Sequence, residues 1–435
     1  MPDLKVASFA LGCKVNQYES QAVGNLFRER GYILTDIDCS ADIYVINTCT
    51  VTNLGDKKSR QLIRKCKRLN PDAFIAVMGC YAQVAPDEVF AIEGVNLVLG
   101  TNDKSKIVDI IEENFDKNTR MKIVRDIKHE KTFEPLTEGL PEGRTRAYIK
   151  IEDGCDRYCS YCIIPYARGP VRSRDMESIE KEAACLAENG FKEVVITGIH
   201  IASYGKDTKD ANLIDVLKRI DSIEGIERIR IGSIEPYIVT EEFVGELKKI
   251  EKLCPQFHLS LQSGCDRTLK AMNRRYLSED YRKALELIRK KIPDSAFTTD
   301  IIAGFPGETD QDFDECLEFA REMGFLKIHV FPFSSKKGTK AEKMSPQIPK
   351  KIKNERAKRL IEISARSTED FIGSYIGKTL PVLFEERNED GLFSGYTKNY
   401  IHVLAESEED IQNRILDVEI TGIRGESAEG RIILR

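Results

Sequence analysis

A chain of 435 residues has room for two to four domains at roughly 100–200 residues each. With 41% hydrophobic and 31% charged residues it can pack a core, which excludes wholesale disorder, and no apolar run approaches the ~18 residues that span a bilayer. A net charge of −5 argues against a uniformly basic nucleic-acid binder but leaves room for local basic patches.

The N-terminus enters a strand-like run at once and lacks a signal-peptide profile, so a cytoplasmic protein with no membrane partner is expected. Short β-rich runs at 5–10, 43–47 and 74–78 alternate with helically spaced, charged segments at 18–30 and 57–69. That alternation predicts βαβ units and an open parallel α/β sheet. A polar stretch at 134–146, with two prolines and two glycines, reads as a linker. The alternation then restarts, with strands at 147–151, 193–197, 228–231, 257–261, 296–302 and 327–333 and helices such as 176–189, 213–222 and 278–290. Six β/α repeats predict a partial (β/α)6 TIM-like barrel whose site lies on the loops after the strands. A charged helix at 350–374 follows. Beyond 376, short β runs with turn residues, ending in 414–422 and 430–434, predict a small antiparallel β-barrel. The expected domains are 1–140, 141–368 and 369–435.

Twelve cysteines are present, and in a reducing compartment metal ligation or chemistry is the first alternative to simple burial. Cys155, Cys159 and Cys162 form C-x-x-x-C-x-x-C directly after the strand at 147–151. Free thiols, a zinc ion and an iron–sulfur cluster are all compatible with thiolates so placed. Zinc wants a fourth ligand nearby, and no close Cys or His follows. A 4Fe–4S cluster with three protein ligands keeps one iron open. This spacing, with Tyr161 just before the last Cys, resembles the signature of radical S-adenosylmethionine enzymes. The resemblance implies that the open iron binds S-adenosylmethionine and that reduction cleaves it to a radical. By the same analogy later strand ends hold the cofactor: Gly198, Ser233, Glu235, Gln262, Asp300 and Gly304, with Tyr161 beside the cluster.

Cys13, Cys49 and Cys80 each lie just past the carboxyl end of a predicted strand, so a parallel sheet brings them to one edge, where open α/β folds place ligands. Taken alone they also read as three buried thiols; the shared strand-end position favours a common site. Such a sheet, the radical barrel and a C-terminal β module together resemble the methylthiotransferases over essentially the whole chain. Leu11-Gly12-Cys13-Lys14-Val15-Asn16-Gln17-Tyr18-Glu19-Ser20 looks most like the branch that acts on N6-threonylcarbamoyladenosine in tRNA. Ile163-Ile164-Pro165-Tyr166-Ala167-Arg168-Gly169-Pro170-Val171-Arg172-Ser173-Arg174 matches the family stretch after the cluster loop. The resemblance implies two 4Fe–4S clusters, the second on Cys13, Cys49 and Cys80 carrying sulfur, together with S-adenosylmethionine, a tRNA anticodon loop as substrate and a reductant such as flavodoxin or ferredoxin. It also implies that the C-terminal module resembles a TRAM domain.

Arg168, Arg172 and Arg174 are candidates to grip the cofactor carboxylate, the substrate's threonyl carboxylate or RNA phosphate, because guanidinium binds oxyanions bidentately. Two basic segments, 57–68 and 350–359, can track phosphates. The C-terminal module carries seven Lys/Arg against twelve Asp/Glu, so RNA there would use a local face such as Lys398, Tyr400 and Arg414. That acidity keeps methylthiolation of a ribosomal-protein aspartate open, beside modification of isopentenyladenosine and a non-catalytic iron–sulfur RNA-binding protein.

Overall fold

Runs of Val, Ile, Ala and aromatic residues, too apolar to tolerate solvent on either face, build the first sheet. The computed structural model describes residues 3–116, 118–137, 139–141 and 144–433. Met1, Pro2, Lys117, Glu138, Glu142 and Gly143 (the last three in the predicted linker), and Leu434 and Arg435 at the predicted final strand, lie outside the described residues. Strands β1 (Lys5–Ala10), β2 (Ile33–Leu34), β3 (Ile43–Thr48), β4 (Phe74–Gly79), β5 (Leu97–Leu99) and β6 (Met121–Ile123) pair in parallel in the order β2-β1-β3-β4-β5-β6. Every residue of β3 and β4 is buried. The register sets Ala10 opposite Asn47 and Thr48 opposite Gly79, which aligns the carboxyl ends of β1, β3 and β4. Helices Lys14–Glu29 and Asn53–Leu69 make the crossovers.

The second unit contains β7 (Arg146–Lys150), β8 (Glu152–Asp153), β9 (Arg172–Ser173), β10 (Glu193–Thr197), β11 (Arg228–Ile231), β12 (Gln256–His258), β13 (Ala296–Ala303) and β14 (Lys327–Pro332). Parallel sheets β7-β10-β11 and β12-β13-β14 are joined by the bridges Ile229–Leu253 and Ile234–Leu259. Together they form the expected partial barrel. The short antiparallel pair β8–β9 pins the two ends of the segment that carries Cys155, Cys159 and Cys162. Helix Lys350–Gly373 packs along β14, where Ser364 accepts the Ile328 N–H at 2.9 Å.

Strands β15 (Thr379–Arg387), β16 (Phe393–Thr397), β17 (His402–Ala405), β18 (Ile415–Arg424) and β19 (Ser427–Ile432) close into a barrel in the order β15-β16-β17-β19-β18. The expected all-antiparallel pattern needs one correction: β17 and β19 run parallel. A closed ring of five strands cannot alternate direction throughout, so one pair must be parallel. This small barrel docks under the amino ends of the central strands. Arg228 donates to the Tyr396 and Pro381 carbonyls at 2.8 and 2.9 Å, and Arg230 donates to the Lys398 carbonyl at 3.1 Å. Among the described residues no helix is long and apolar enough to cross a membrane.

Candidate active site

The loop after β7 is shaped by backbone constraints before any thiol enters the account. Gly154 has φ +88°, and a Cβ there would lie 1.9 Å from the Pro170 carbonyl oxygen, so the chain passes itself at a distance only glycine permits. Cys155 N donates to Gly169 O, and Cys162 N to Cys159 O, both at 3.0 Å. The three thiols are near enough to feel one another's charge. Burial and then its sister thiols push Cys155 upward, and the same causes push Cys162 up to about 12. Thiols gathered where ionisation is unfavourable suit a cationic metal group that would reverse the balance.

Cys13, Cys49 and Cys80 follow the aligned carboxyl ends of β1, β3 and β4, where Cys80 and Cys13 both act on the charge of Cys49. Burial and then Cys80 push Cys49 up to about 12, and burial raises Cys80 while Arg168 opposes it. Gly12 has φ +102°, and a Cβ there would sit 2.5 Å from Cys49 Cβ and 2.7 Å from its Sγ. Gly12→Ala should therefore prise the Cys13 and Cys49 loops apart. The expected result is roughly half the iron of the wild type after anaerobic reconstitution, with the other cluster retained; undiminished iron would show that the two loops do not share a site. Among the described residues no three Cys, His, Asp or Glu side chains converge on a single ion.

Glu235, at the end of β11, is the electrostatic centre of the barrel mouth. It pairs with Arg274 at 2.8 Å, Arg157 at 3.1 Å and His200 at 3.2 Å. Burial alone would push Glu235 up, but His200, Arg274 and Arg157 hold it down at about 2. Arg274 also donates to Cys159 Sγ at 3.3 Å, which ties this cluster to the first thiol trio. Sequence reasoning missed Arg157 and Arg274. No spacing links these residues; only folding does. Glu152 lies beneath. Burial pushes it up to about 8 although it accepts the His200 N–H at 2.7 Å, and its Oε1 has no partner.

The other expected cofactor residues divide. Gly198 packs against Glu152, whose Oε2 would lie 2.8 Å from a Cβ. Tyr161 stands edge-on to Phe305 at 6.5 Å. Gln262 has φ +69° and donates its N–H to Asp300 O at 2.8 Å, which locks β13 to the loop before it. Ser233 and Asp300 line a cavity of about 230 Å³ inside the barrel, together with Lys14 and Tyr400. Solvent reaches Lys14 there, while surrounding protein pushes its ammonium below the ordinary value. Gly304 departs from the expectation. Its N–H donates to Glu308 at 2.8 Å and a Cβ would meet Lys353 at 2.3 Å, so its backbone N–H is spent on a turn.

The three arginines are also corrected. Arg168 is fully buried, and its guanidinium donates to Glu19 at 2.7 Å, Asn16 at 2.7 Å, Asp153 at 3.1 Å and Cys80 Sγ at 3.4 Å. Burial would raise Asp153, but Arg168, then Lys150 and Arg172, hold it well below the carboxylate range. Arg172 donates to the Arg168 and Pro170 carbonyls at 2.7 and 2.9 Å. Arg174 pairs with Glu182 and donates to Ser178 Oγ at 2.9 Å and Tyr18 Oη at 3.3 Å. Arg168 and Arg174 thereby tie the first unit to the barrel, while Arg172 bonds within the barrel unit. The basic segment 350–359 is partly consumed too: Arg356 pairs with Glu308 and Asp310, Arg359 with Asp314. Lys58, Arg64, Lys65 and Arg68 of the other segment line an open groove with Phe9. Tyr400 stacks on Tyr396 at 4.7 Å under the barrel, while Arg414 lines a separate outer groove, so the proposed C-terminal face is not one surface.

Known proteins resemble the chain along its whole length. The Radical SAM superfamily matches residues 149–320, the uncharacterized protein family UPF0004 residues 5–100, and the TRAM domain residues 373–433. Threonylcarbamoyladenosine tRNA methylthiotransferase MtaB of Bacillus subtilis is 43% identical, covering 95% of this chain and 93% of its own. The Aquifex aeolicus protein of the same name is 40% identical, covering 94% and 98%. A tRNA-2-methylthio-N(6)-dimethylallyladenosine synthase of Acetivibrio thermocellus is 34% identical, covering 97% and 89%. Among solved structures, the radical S-adenosylmethionine methyltransferase TsrM from Kitasatospora setae superposes with a TM-score of 0.56 at 16% identity, covering 75% of this chain and 72% of that one. At that identity the likeness concerns the fold.

Proposed function

The chain belongs to the threonylcarbamoyladenosine tRNA methylthiotransferases, a radical S-adenosylmethionine family, and from that premise we propose how its residues divide the reaction. The protein is an enzyme that uses S-adenosylmethionine and 4Fe–4S clusters to place a methylthio group on N6-threonylcarbamoyladenosine in tRNA. The C2–H hydrogen of an adenine is neither acidic nor hydridic, so the bound cofactors supply radical chemistry and the protein supplies position and exclusion of water. Cys155, Cys159 and Cys162 hold the cluster that engages S-adenosylmethionine, and Cys13, Cys49 and Cys80 hold the second. Glu235, kept ionised by Arg274, Arg157 and the hydrogen bond to His200, orients Arg274 against Cys159. Gly198, Ser233, Gln262 and Asp300 border the space left for cofactor and base.

The observation that carries this reading is the link between the two trios. Arg168 closes the short helix that follows Cys162 and reaches Cys80 Sγ at 3.4 Å, so both cluster loops share one buried wall. The substrate base lies in the anticodon loop, where a single-stranded nucleotide is splayed into a pocket at a cost of a few kcal/mol. A cytoplasmic flavodoxin or ferredoxin delivers the electrons, and units 1–140, 141–368 and 369–435 carry the second cluster, the radical site and an RNA contact respectively.

Nucleoside mass analysis of tRNA from cells lacking the protein tests the reading. The 2-methylthio group should vanish from threonylcarbamoyladenosine while the threonylcarbamoyl group persists. Loss from isopentenyladenosine, or from a ribosomal protein with tRNA unchanged, would reject it.

A further inference from the structure

The cavity of about 230 Å³ inside the barrel is small for a whole ligand and suits one substituent of a larger one. Arg230 of β11, His258 of β12 and Asp300 of β13 form its wall, and Tyr400 of the C-terminal barrel forms its floor. Lys14 enters from the side, from the first turn of helix Lys14–Glu29, with Nζ 5.9 Å from the Tyr148 ring of β7. Tyr400 reaches this place in a left-handed conformation, φ +73°, which is strained for an aromatic residue.

The charges here do not balance around Lys14. Glu193 is taken by Arg230 at 2.8 Å and Arg228 at 3.7 Å, and Glu385 by Arg146 at 2.5 Å, while Asp300 lies 3.3 Å from His258 on the far wall. Among the described residues no carboxylate lies within ion-pair distance of Lys14 Nζ. Burial pushes the Tyr400 phenol up, yet Arg146, Lys14 and Arg230 together hold it below its ordinary value, a sign of a positive field in this cavity. Arg168, Arg172 and Arg174, first expected to grip the cofactor carboxylate, the substrate carboxylate or RNA phosphate, are buried, whereas Lys14 is a cation that solvent reaches.

We propose that the cavity takes the threonyl side chain of the substrate adenosine and that Lys14 pairs with its carboxylate. The inference rests on the substrate reading above and adds the residue that enforces it. An isopentenyl chain in the same place would bury the ammonium against hydrocarbon without a partner, so the site rejects the apolar analogue as well as accepting the acid.

The test uses anaerobic holoenzyme and three anticodon stem-loops, carrying threonylcarbamoyladenosine, its neutral methyl ester, or isopentenyladenosine. Iron content is read first, because Lys14 adjoins Cys13. Wild-type protein should bind the acid on the order of 100-fold more tightly than the ester. Lys14→Met, or Lys14→Gln where the first variant loses iron, should abolish that preference, and Lys14→Arg should keep most of it. Equal binding of acid and ester by the wild type, or a preference that survives in Lys14→Met, overturns the proposal. A rise in KM for S-adenosylmethionine with the acid preference intact assigns the cavity to the cofactor and overturns it too. Turnover of the isopentenyl stem-loop alone by the wild type would instead reject the substrate reading itself.

Discussion

Replacement of Cys155, Cys159 and Cys162 together by alanine should lower the iron of anaerobic protein from about eight atoms to about four and abolish methylthiolation. The effect is expected to be all-or-none, because acid–base groups cannot remove an unactivated C–H hydrogen. The remaining iron should stay, since Cys13, Cys49 and Cys80 come from separate strand ends in a separate sheet. Iron and sulfide analysis of the variant settles the assignment: a triple variant that kept all its iron would show that the loop after β7 does not hold a cluster.

The second large effect concerns stability. Arg168→Ala should destabilise the protein by about 3–5 kcal/mol, the usual consequence of removing one partner from a buried ionic network. Glu19 loses its guanidinium partner and Asp153 the nearer of its two, and both carboxylates are almost without solvent contact. Lys150 and Lys104 still approach Glu19 at 2.8 and 3.5 Å, so the loss falls short of that of an isolated buried charge. Denaturant unfolding of anaerobic protein measures it. The cost of the double variant Arg168→Ala, Glu19→Gln should be less than the sum of the single costs, because removing the stranded charge relieves part of the penalty. A loss below about 1 kcal/mol would contradict the clamp between the first unit and the barrel.

Much of this molecule was legible from residue order, and the physical reason is that its strongest signals are local. Strands at 5–10, 193–197 and 228–231 match the structure end to end, because an apolar run bounded by turns needs no distant partner to declare itself. Strands β2, β5 and β6, of two or three residues, escaped notice because that length shows no period. The C-x-x-x-C-x-x-C spacing and the strand-end position of Cys13, Cys49 and Cys80 are likewise local signals, since thiolates suit iron–sulfur groups and the ends of neighbouring parallel strands lie along one edge. What each arginine faces depended on tertiary structure alone. Arg168, Arg172 and Arg174 look like an anion-binding loop in the chain, yet packing the first unit onto the barrel surrounds them with Glu19, Asp153 and Glu182 from up to 149 residues away. Folding likewise carried Lys14 to the barrel wall and Tyr400 beneath it, from opposite ends of the chain. Periodicity and ligand spacing are properties of neighbours in sequence, whereas the partner of a buried charge is chosen only when separate units pack and water is excluded between them.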